Sequence, residues 1–173
     1  MLVAADGQSL GVRGADGRLR ILRTASDNFA AREWLAADGD ARAPKDADLR
    51  EGFTCDQTGC IGRLADGALV ALVRAPSAFE EDCRRAALVV SHRTSPPACA
   101  AHVIDHAKLR ANGAVALVRS GDHWTVKVAR PAGSERPWAR LARQAETAAL
   151  PETFTHPVAE DAMPRRDDIE PGD

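Results

Sequence analysis

Residues 60–91, CIGRLADGALVALVRAPSAFEEDCRRAALVVS, decide the fold class. Two apolar runs, 60–64 and 69–74, flank the tripeptide Ala65-Asp66-Gly67. Glycine takes positive φ without a Cβ clash and aspartate tolerates it, so this is a β-hairpin signature. Residues 77–86 then change period. Ser77 and Glu80 stand in the S-x-x-E spacing of a capping box, and Phe79, Cys83 and Ala86 or Ala87 recur on one side of a helix. That spacing turns Cys83 inward. Residues 88–91 follow as a short apolar run, the mark of a buried strand. The expectation is an α+β domain: a β-rich mixed sheet with hairpins and two or three short helices.

The same tripeptide occurs at 5–7, 15–17 and 37–39. The first two copies separate the runs 2–4, 10–13 and 19–23 and read as tight turns. The third, at Asp38, closes a helix expected over residues 28–37, where Ser26 or Asp27 caps and Ala30 with Trp34 and Ala31 with Leu35 face inward at i, i+4. Residues 103–104 read as a short strand, and 107–112 as one helical turn stopped by Gly113. A last hairpin joins 114–119 to 124–129 around Gly121 and Asp122. Residues 38–51 have no period and read as a surface loop. One domain is expected over 1–138; beyond it come a short helix at 138–149 and a disordered acidic tail, since 150–173 holds four prolines and many acids.

Composition sets bounds. A chain of 173 residues with 45% apolar content supports one real core, built from Ala, Val and Leu because Tyr is absent and aromatics are 4%. Lys and Arg stand against Asp and Glu at 21 to 17 in residues 1–143 and at 2 to 8 in 144–173, summing to the chain's 23 and 25. A surplus of four is too small for a dedicated nucleic-acid binder, which shows a strong basic stripe. No run reaches the roughly 18 apolar residues of a membrane span, and the first residues lack a secretory pattern. Taken alone the chain stays where it is made; taken as part of a longer protein it goes where that protein goes.

Four cysteines, Cys55, Cys60, Cys83 and Cys99, permit three pairings. Cys55 with Cys60 and Cys83 with Cys99 are favoured. The residue 56–59 loop sets its flanking cysteines opposite one another, and the helix ending near Cys83 leads toward the segment that Cys99 begins. A four-cysteine zinc site is the rival, but zinc sites use closer pairs than these. Buried free thiols are the plain alternative. His102 and His106 are four apart, yet Val103 and Ile104 argue for strand, where that spacing is too long for one ion. No phosphate loop, G-x-S-x-G elbow or H-E-x-x-H pattern is present.

The order of elements resembles the metallo-β-lactamase-like domain at the C-terminus of ComEC family proteins, the membrane channels for DNA uptake in natural transformation. In that family a strand ends in a metal-bridging Asp, a helix follows, and the next strand ends in Pro-His-His-Gly-Ser before the final hairpin. Here the strand 68–74 and helix 77–86 lead to Ala87-Leu88-Val89-Val90-Ser91-His92-Arg93-Thr94-Ser95. Residues 4–22 resemble the family's opening hairpin. The likeness spans residues 2–138 and is nearest to a divergent subgroup, on the runs 55–67 and 78–83 and on the closing Arg136-Pro137-Trp138.

The departures carry the functional expectation. The family's H-x-H-x-D-H motif is missing, Arg74-Ala75-Pro76 stands where the bridging Asp belongs, and one histidine, His92, is left beside Arg93. A dinuclear hydrolase needs several convergent ligands. The resemblance therefore implies a degenerate, non-enzymatic domain with no catalytic residue, metal, cofactor or small-molecule substrate. Its partners would be the membrane-embedded channel portion of the same parent protein and single- or double-stranded DNA. Its place would be the periplasm or the outer face of the inner membrane, which suits disulfides. Arg84, Arg85, His92 and Arg93 become candidate DNA contacts near the former active-site rim, with an ordinary solvated face as the alternative account of the arginines. A stand-alone structural or protein-interaction module is the alternative, and a hydrolase with an unfamiliar site is the third reading.

Overall fold

A computed structural model describes residues 1–24, 28–121, 123–131 and 150–155. The expected caps Ser26 and Asp27, the turn residue Asp122, the helix over 138–149, the run 136–138 and the tail from 156 onward lie outside the described residues.

The Ala-Asp-Gly copies build the turns through one repeated set of bonds. Gly7, Gly17 and Gly67 have φ of 67°, 75° and 86°. Each donates its N–H to the residue three before it, Ala4, Gly14 and Leu64, at 2.9–3.0 Å. In each copy the Asp side chain accepts the N–H two residues on, from Gln8, Arg18 and Ala68. The result is a meander of β1 (Leu2–Val3), β2 (Ser9–Arg13) and β3 (Leu19–Arg23). The fourth copy ends α1 (Phe29–Asp38), with Gly39 left-handed at φ 65° as the sequence expects. Asn28, rather than Ser26 or Asp27, occupies the N-cap position.

The expected hairpin, helix and buried strand are present as β5 (Gly59–Arg63), β6 (Leu69–Val73), α2 (Phe79–Arg85) and β7 (Leu88–Ser91). Before them runs β4 (Phe53–Cys55), a strand too short and exposed to be read from pattern. After them come β8 (His102–Ile104), α3 (His106–Asn112), β9 (Val115–Ser120) and β10 (His123–Val128). The capping box is corrected. Residues Pro76–Ala78 form a 3-10 turn that holds Ser77, so α2 starts at Phe79 with Ala78 at its cap and no side-chain cap bond. Proline pre-sets φ for that turn and shifts the helix start past Ser77.

The α+β class, with hairpins, mixed strand directions and three short helices, is as the sequence leads one to expect, and the strands form two sheets. One has the order β11-β10-β9-β1-β2-β3, where β11 is Thr153–Thr155, with antiparallel pairs throughout; the other, β4-β5-β6-β7-β8, is antiparallel up to β6 and parallel across β6, β7 and β8. Strand alternation explains the stacking. Val70, Leu72, Leu88 and Val90 face a core shared with Leu10, Val12, Leu117 and Trp124 of the first sheet. Ala71, Val73 and Val89 face the other way, toward Phe79 and Cys83 of α2. On the far side, Leu19 and Ile21 of β3 pack on Ala31 and Leu35 of α1. The layers run helix, sheet, sheet, helix, with a strand's two faces each buried as period-two alternation requires.

Two sequence expectations are overturned. The residue 38–51 loop contains a 3-10 turn, Ala47–Arg50, whose Leu49 is 1% exposed and completes the core under α1. A single apolar residue in a polar loop carries no period to read. The tail, expected to be disordered from 150 on, supplies β11 (Thr153–Thr155), paired antiparallel with β10. Phe154 is its anchor. It stacks on Trp124 with ring centroids 5.7 Å apart and lies 3.6 Å from the His102 ring, whose Nε2 meets the Thr155 carbonyl oxygen at 3.1 Å. On the other side of Trp124 sits the Arg119 guanidinium, 5.2 Å from the ring centroid and ion-paired with Asp66. One row of side chains therefore crosses the first sheet and ties both its ends to the second.

Phe154→Ala should cost about 2–3 kcal/mol, below the full range for a wholly buried phenylalanine because this ring is half-buried. Urea denaturation should give that loss, together with a red-shifted tryptophan emission as Trp124 meets water. Unchanged stability would separate β11 from the core.

Candidate functional site

The parallel register of β6, β7 and β8 fixes where chemistry can gather, because it sends three strand ends to one edge. Ligands of open α/β sheets bind at such carboxyl ends. There the chain places Arg74, His92, Arg93, Asp105 and His106. The backbone of this edge is tightly held. Ser91 Oγ donates to the Val73 carbonyl at 3.0 Å and accepts the Arg93 N–H at 3.0 Å, joining β6 to β7. The Thr58 carbonyl accepts both the Arg74 and Ala75 N–H groups at 2.8 Å. Asp105, 6% exposed, caps α3 through the Lys108 N–H and accepts the Ser95 N–H and hydroxyl. Arg93 is exposed and its Nε donates to the Arg74 carbonyl at 2.8 Å, which lays the Arg93 side chain against the end of β6, next to the exposed residue Arg74.

The first Ala-Asp-Gly turn closes the site from the other sheet. A Cβ at Gly7 would lie 2.9 Å from the Ser91 oxygen and 3.0 Å from the His92 nitrogen, so only glycine lets this turn rest on the end of β7. His92 is half-buried, and its pKa is lowered, chiefly by burial and then by Arg93, with Asp6 opposing and His106 and Arg74 adding. The imidazole at this edge is a neutral group near pH 7 with guanidinium neighbours.

Of the four candidate DNA contacts, the structure brings His92 and Arg93 together and sets Arg84 and Arg85 apart. These two end α2, which runs back against the strands, so β7 separates them from His92 by roughly 20 Å of extended chain. Each is already paired on the helix surface, Arg84 with Glu80 at 3.9 Å and Arg85 with Glu81. Arg74, which the sequence offers only as a missing ligand, takes their place. Its position was hidden because nothing in the residue pattern says that β6 and β7 run parallel.

The cysteines pair as favoured. Cys55 and Cys60 are direct cross-strand partners with Cα atoms 4.0 Å apart, and Cys83 and Cys99 are 4.9 Å apart. A four-cysteine zinc site is excluded by position: Cys60 faces the core between the sheets and Cys83 the core under α2, on opposite faces of the second sheet. His102 opens β8 while His106 follows its far end, so those two do not converge either. The strand-end edge does not fit a dinuclear metal centre. Two guanidiniums occupy it, and the carboxylate of Asp105 is spent on Ser95 and Lys108. Among the described residues no group of three or more His, Cys, Asp or Glu is placed to hold an ion. No family model, curated protein or solved structure matches the chain.

The two disulfides should differ in worth. Loop-closure entropy gives about 3 kcal/mol for Cys83–Cys99 and about 2 kcal/mol for the shorter Cys55–Cys60 loop. Urea denaturation of the paired alanine variants should show that order. At the edge, an NMR titration should place the His92 pKa below the ordinary histidine value of 6.5. Arg93→Ala should raise it and Asp6→Asn lower it further. Because the folded pKa is the lower one, the histidine's contribution to stability is complete above 6.5 and declines as pH falls from there through the folded value. A titration at or above 6.5 would contradict the burial and cationic surroundings described.

Proposed function

We propose that this chain is a non-catalytic accessory domain of a membrane DNA-uptake channel of the ComEC kind, and that it guides incoming DNA along the rim of Arg74, His92 and Arg93. The carrying observation is the charge of the strand-end edge. Where the family it resembles sets metal ligands, at the ends of two strands joined through a helix, this chain sets two exposed arginines and a histidine. Guanidiniums suit phosphate oxygens, which they meet with paired N–H donors, and repel a metal cation. The helix, sheet, sheet, helix layering agrees with a metallo-β-lactamase-like ancestry. Two disulfides agree with a periplasmic or outer-face location. No helix among the described residues is long and apolar enough to cross a membrane, so in this reading the parent protein's channel portion supplies the membrane anchor.

Affinity on such a rim is modest. Asp6 and Asp56 lie close enough to act on His92 and Arg74, and they temper its field. That suits guiding a strand that must move on, rather than holding it.

Binding of a fluorescent single-stranded oligonucleotide, measured across a salt series, tests the reading. Binding should weaken linearly in log salt, and replacing Arg74 and Arg93 together by Ala should cost about tenfold at low salt and flatten the slope by about 1.4, at roughly 0.7 per phosphate contact. Replacing Arg84 and Arg85 by Ala should change neither quantity. An absence of low-salt binding, or equal losses in the two double variants, would remove the proposal.

A further inference from the structure

The residues between Cys55 and Cys60 act beyond the hairpin they close. β4 has three residues, lies at the edge of its sheet and pairs with β5 alone among the described strands. Its two ends are held differently. At one, the Phe53 ring lies over Gly62 and leaves no room there for a Cβ; at the other, Cys55 is tied to the facing Cys60. Between the cysteines Asp56 sets the shape of the turn. Its Oδ1 accepts the Thr58 N–H and hydroxyl at 2.7 Å and the Gly59 N–H at 2.8 Å. The Thr58 carbonyl is left for β6, and takes the N–H groups of Arg74 and Ala75 at 2.8 Å.

From Thr58 the linkage runs into the arginine rim. Arg74 donates its N–H to Thr58, and its own carbonyl accepts the Arg93 Nε–H. The Arg74 main chain is therefore a relay. What fixes Thr58 fixes Arg74, and what fixes Arg74 fixes where the Arg93 side chain lies. Two hydrogen bonds in series join the disulfide loop to the second arginine.

The two bridges differ in how a reductant reaches them. Cys83 is 7% exposed, in the core under α2, whereas Cys55 is exposed on the edge strand. Exposed disulfides are the labile and regulatory ones. The Cys55–Cys60 loop is also short, so opening it removes little of the chain-entropy stabilisation and leaves the domain folded.

We propose that the Cys55–Cys60 bridge is a redox latch on the arginine rim: oxidised, it holds Arg74 and Arg93 in place for phosphate, and reduced, it releases them. The reductant is a dithiol. Its first thiolate attacks the Cys55 sulfur and breaks the bond to Cys60, which takes up a proton. Its second thiol, losing a proton, then displaces Cys55 from the mixed disulfide, and Cys55 is protonated in turn. Two electrons pass to the cysteines and the reductant leaves as a disulfide. The purpose of the latch rests on the rim reading, but its mechanics do not.

Dithiothreitol titrated against the oxidised full chain tests the latch. Alkylation and mass spectrometry should find Cys55 and Cys60 reduced while Cys83 and Cys99 stay joined. In that state the Arg74 and Ala75 amides should exchange about fivefold faster, with the Val89 and Val90 amides unchanged. A single-stranded oligonucleotide should bind about threefold more weakly at low salt. Reoxidation should restore each of these, and Cys55→Ser with Cys60→Ala should reproduce the reduced state without reductant. Equal protection of Arg74 and Ala75 in both states would overturn the latch. So would reduction of Cys83–Cys99 first, or an oligonucleotide affinity that is the same in both states. An oxidised protein that binds no oligonucleotide would instead refute the rim reading, and the exchange rates would still decide whether the bridge holds Arg74.

Discussion

The two faces of β6 and β7 are both apolar, and that constraint organises everything else. Val70 and Leu72 point one way while Ala71 and Val73 point the other, and Leu88, Val89 and Val90 continue both rows. A strand pair of this kind must be covered twice, because each exposed face would leave aliphatic surface in water at about 25 cal/mol for every Å². One cover is the other sheet, and the second is α2. The crossover that places α2 there also makes β6 and β7 parallel, which collects Arg74, His92 and Arg93 at one edge. Core packing and site geometry are thus one decision.

The Cys83–Cys99 bridge reinforces that arrangement at its weakest point. α2 is seven residues long, too short to be stable by itself, and holds its place through Phe79 and Cys83. The bridge joins the helix to the loop entering β8, and the Ala101 N–H adds a bond to the Cys83 carbonyl at 3.1 Å. Charge helps too, since Glu80, Glu81 and Asp82 occupy the first turn and Arg84 and Arg85 the last, in the sense the helix dipole favours. The arginines at the foot of α2 are accounted for by this local pairing, whereas those at the strand ends have no such carboxylate on their own element.

What could be read from sequence was what neighbours in sequence determine. The Asp-Gly turns, the left-handed end of α1 and the buried strand 88–91 all follow from local rules, and the structure has them. Leu49 and Phe154 are different. Each is a lone apolar residue in a polar segment, and its burial depends on a partner far away: Leu49 on β3 and α1, Phe154 on Trp124 and His102. Arg84 and Arg93 look alike in the sequence, nine residues apart, and only the reversal of chain direction in α2 sends them to opposite ends of the sheet.

Opposite ends of the sandwich are finished differently, and this bears on how the domain can work. At the strand-end edge, Ser91, Asp105 and the Gly7 turn tie the backbone down, while Arg74 and Arg93 stand exposed. At the other end the row from Asp66 through Arg119, Trp124 and Phe154 to His102 shuts one flank. That row is committed to ring contacts, a cation over a ring and an ion pair, so charge is used for packing at this end of the sandwich and left open at the other.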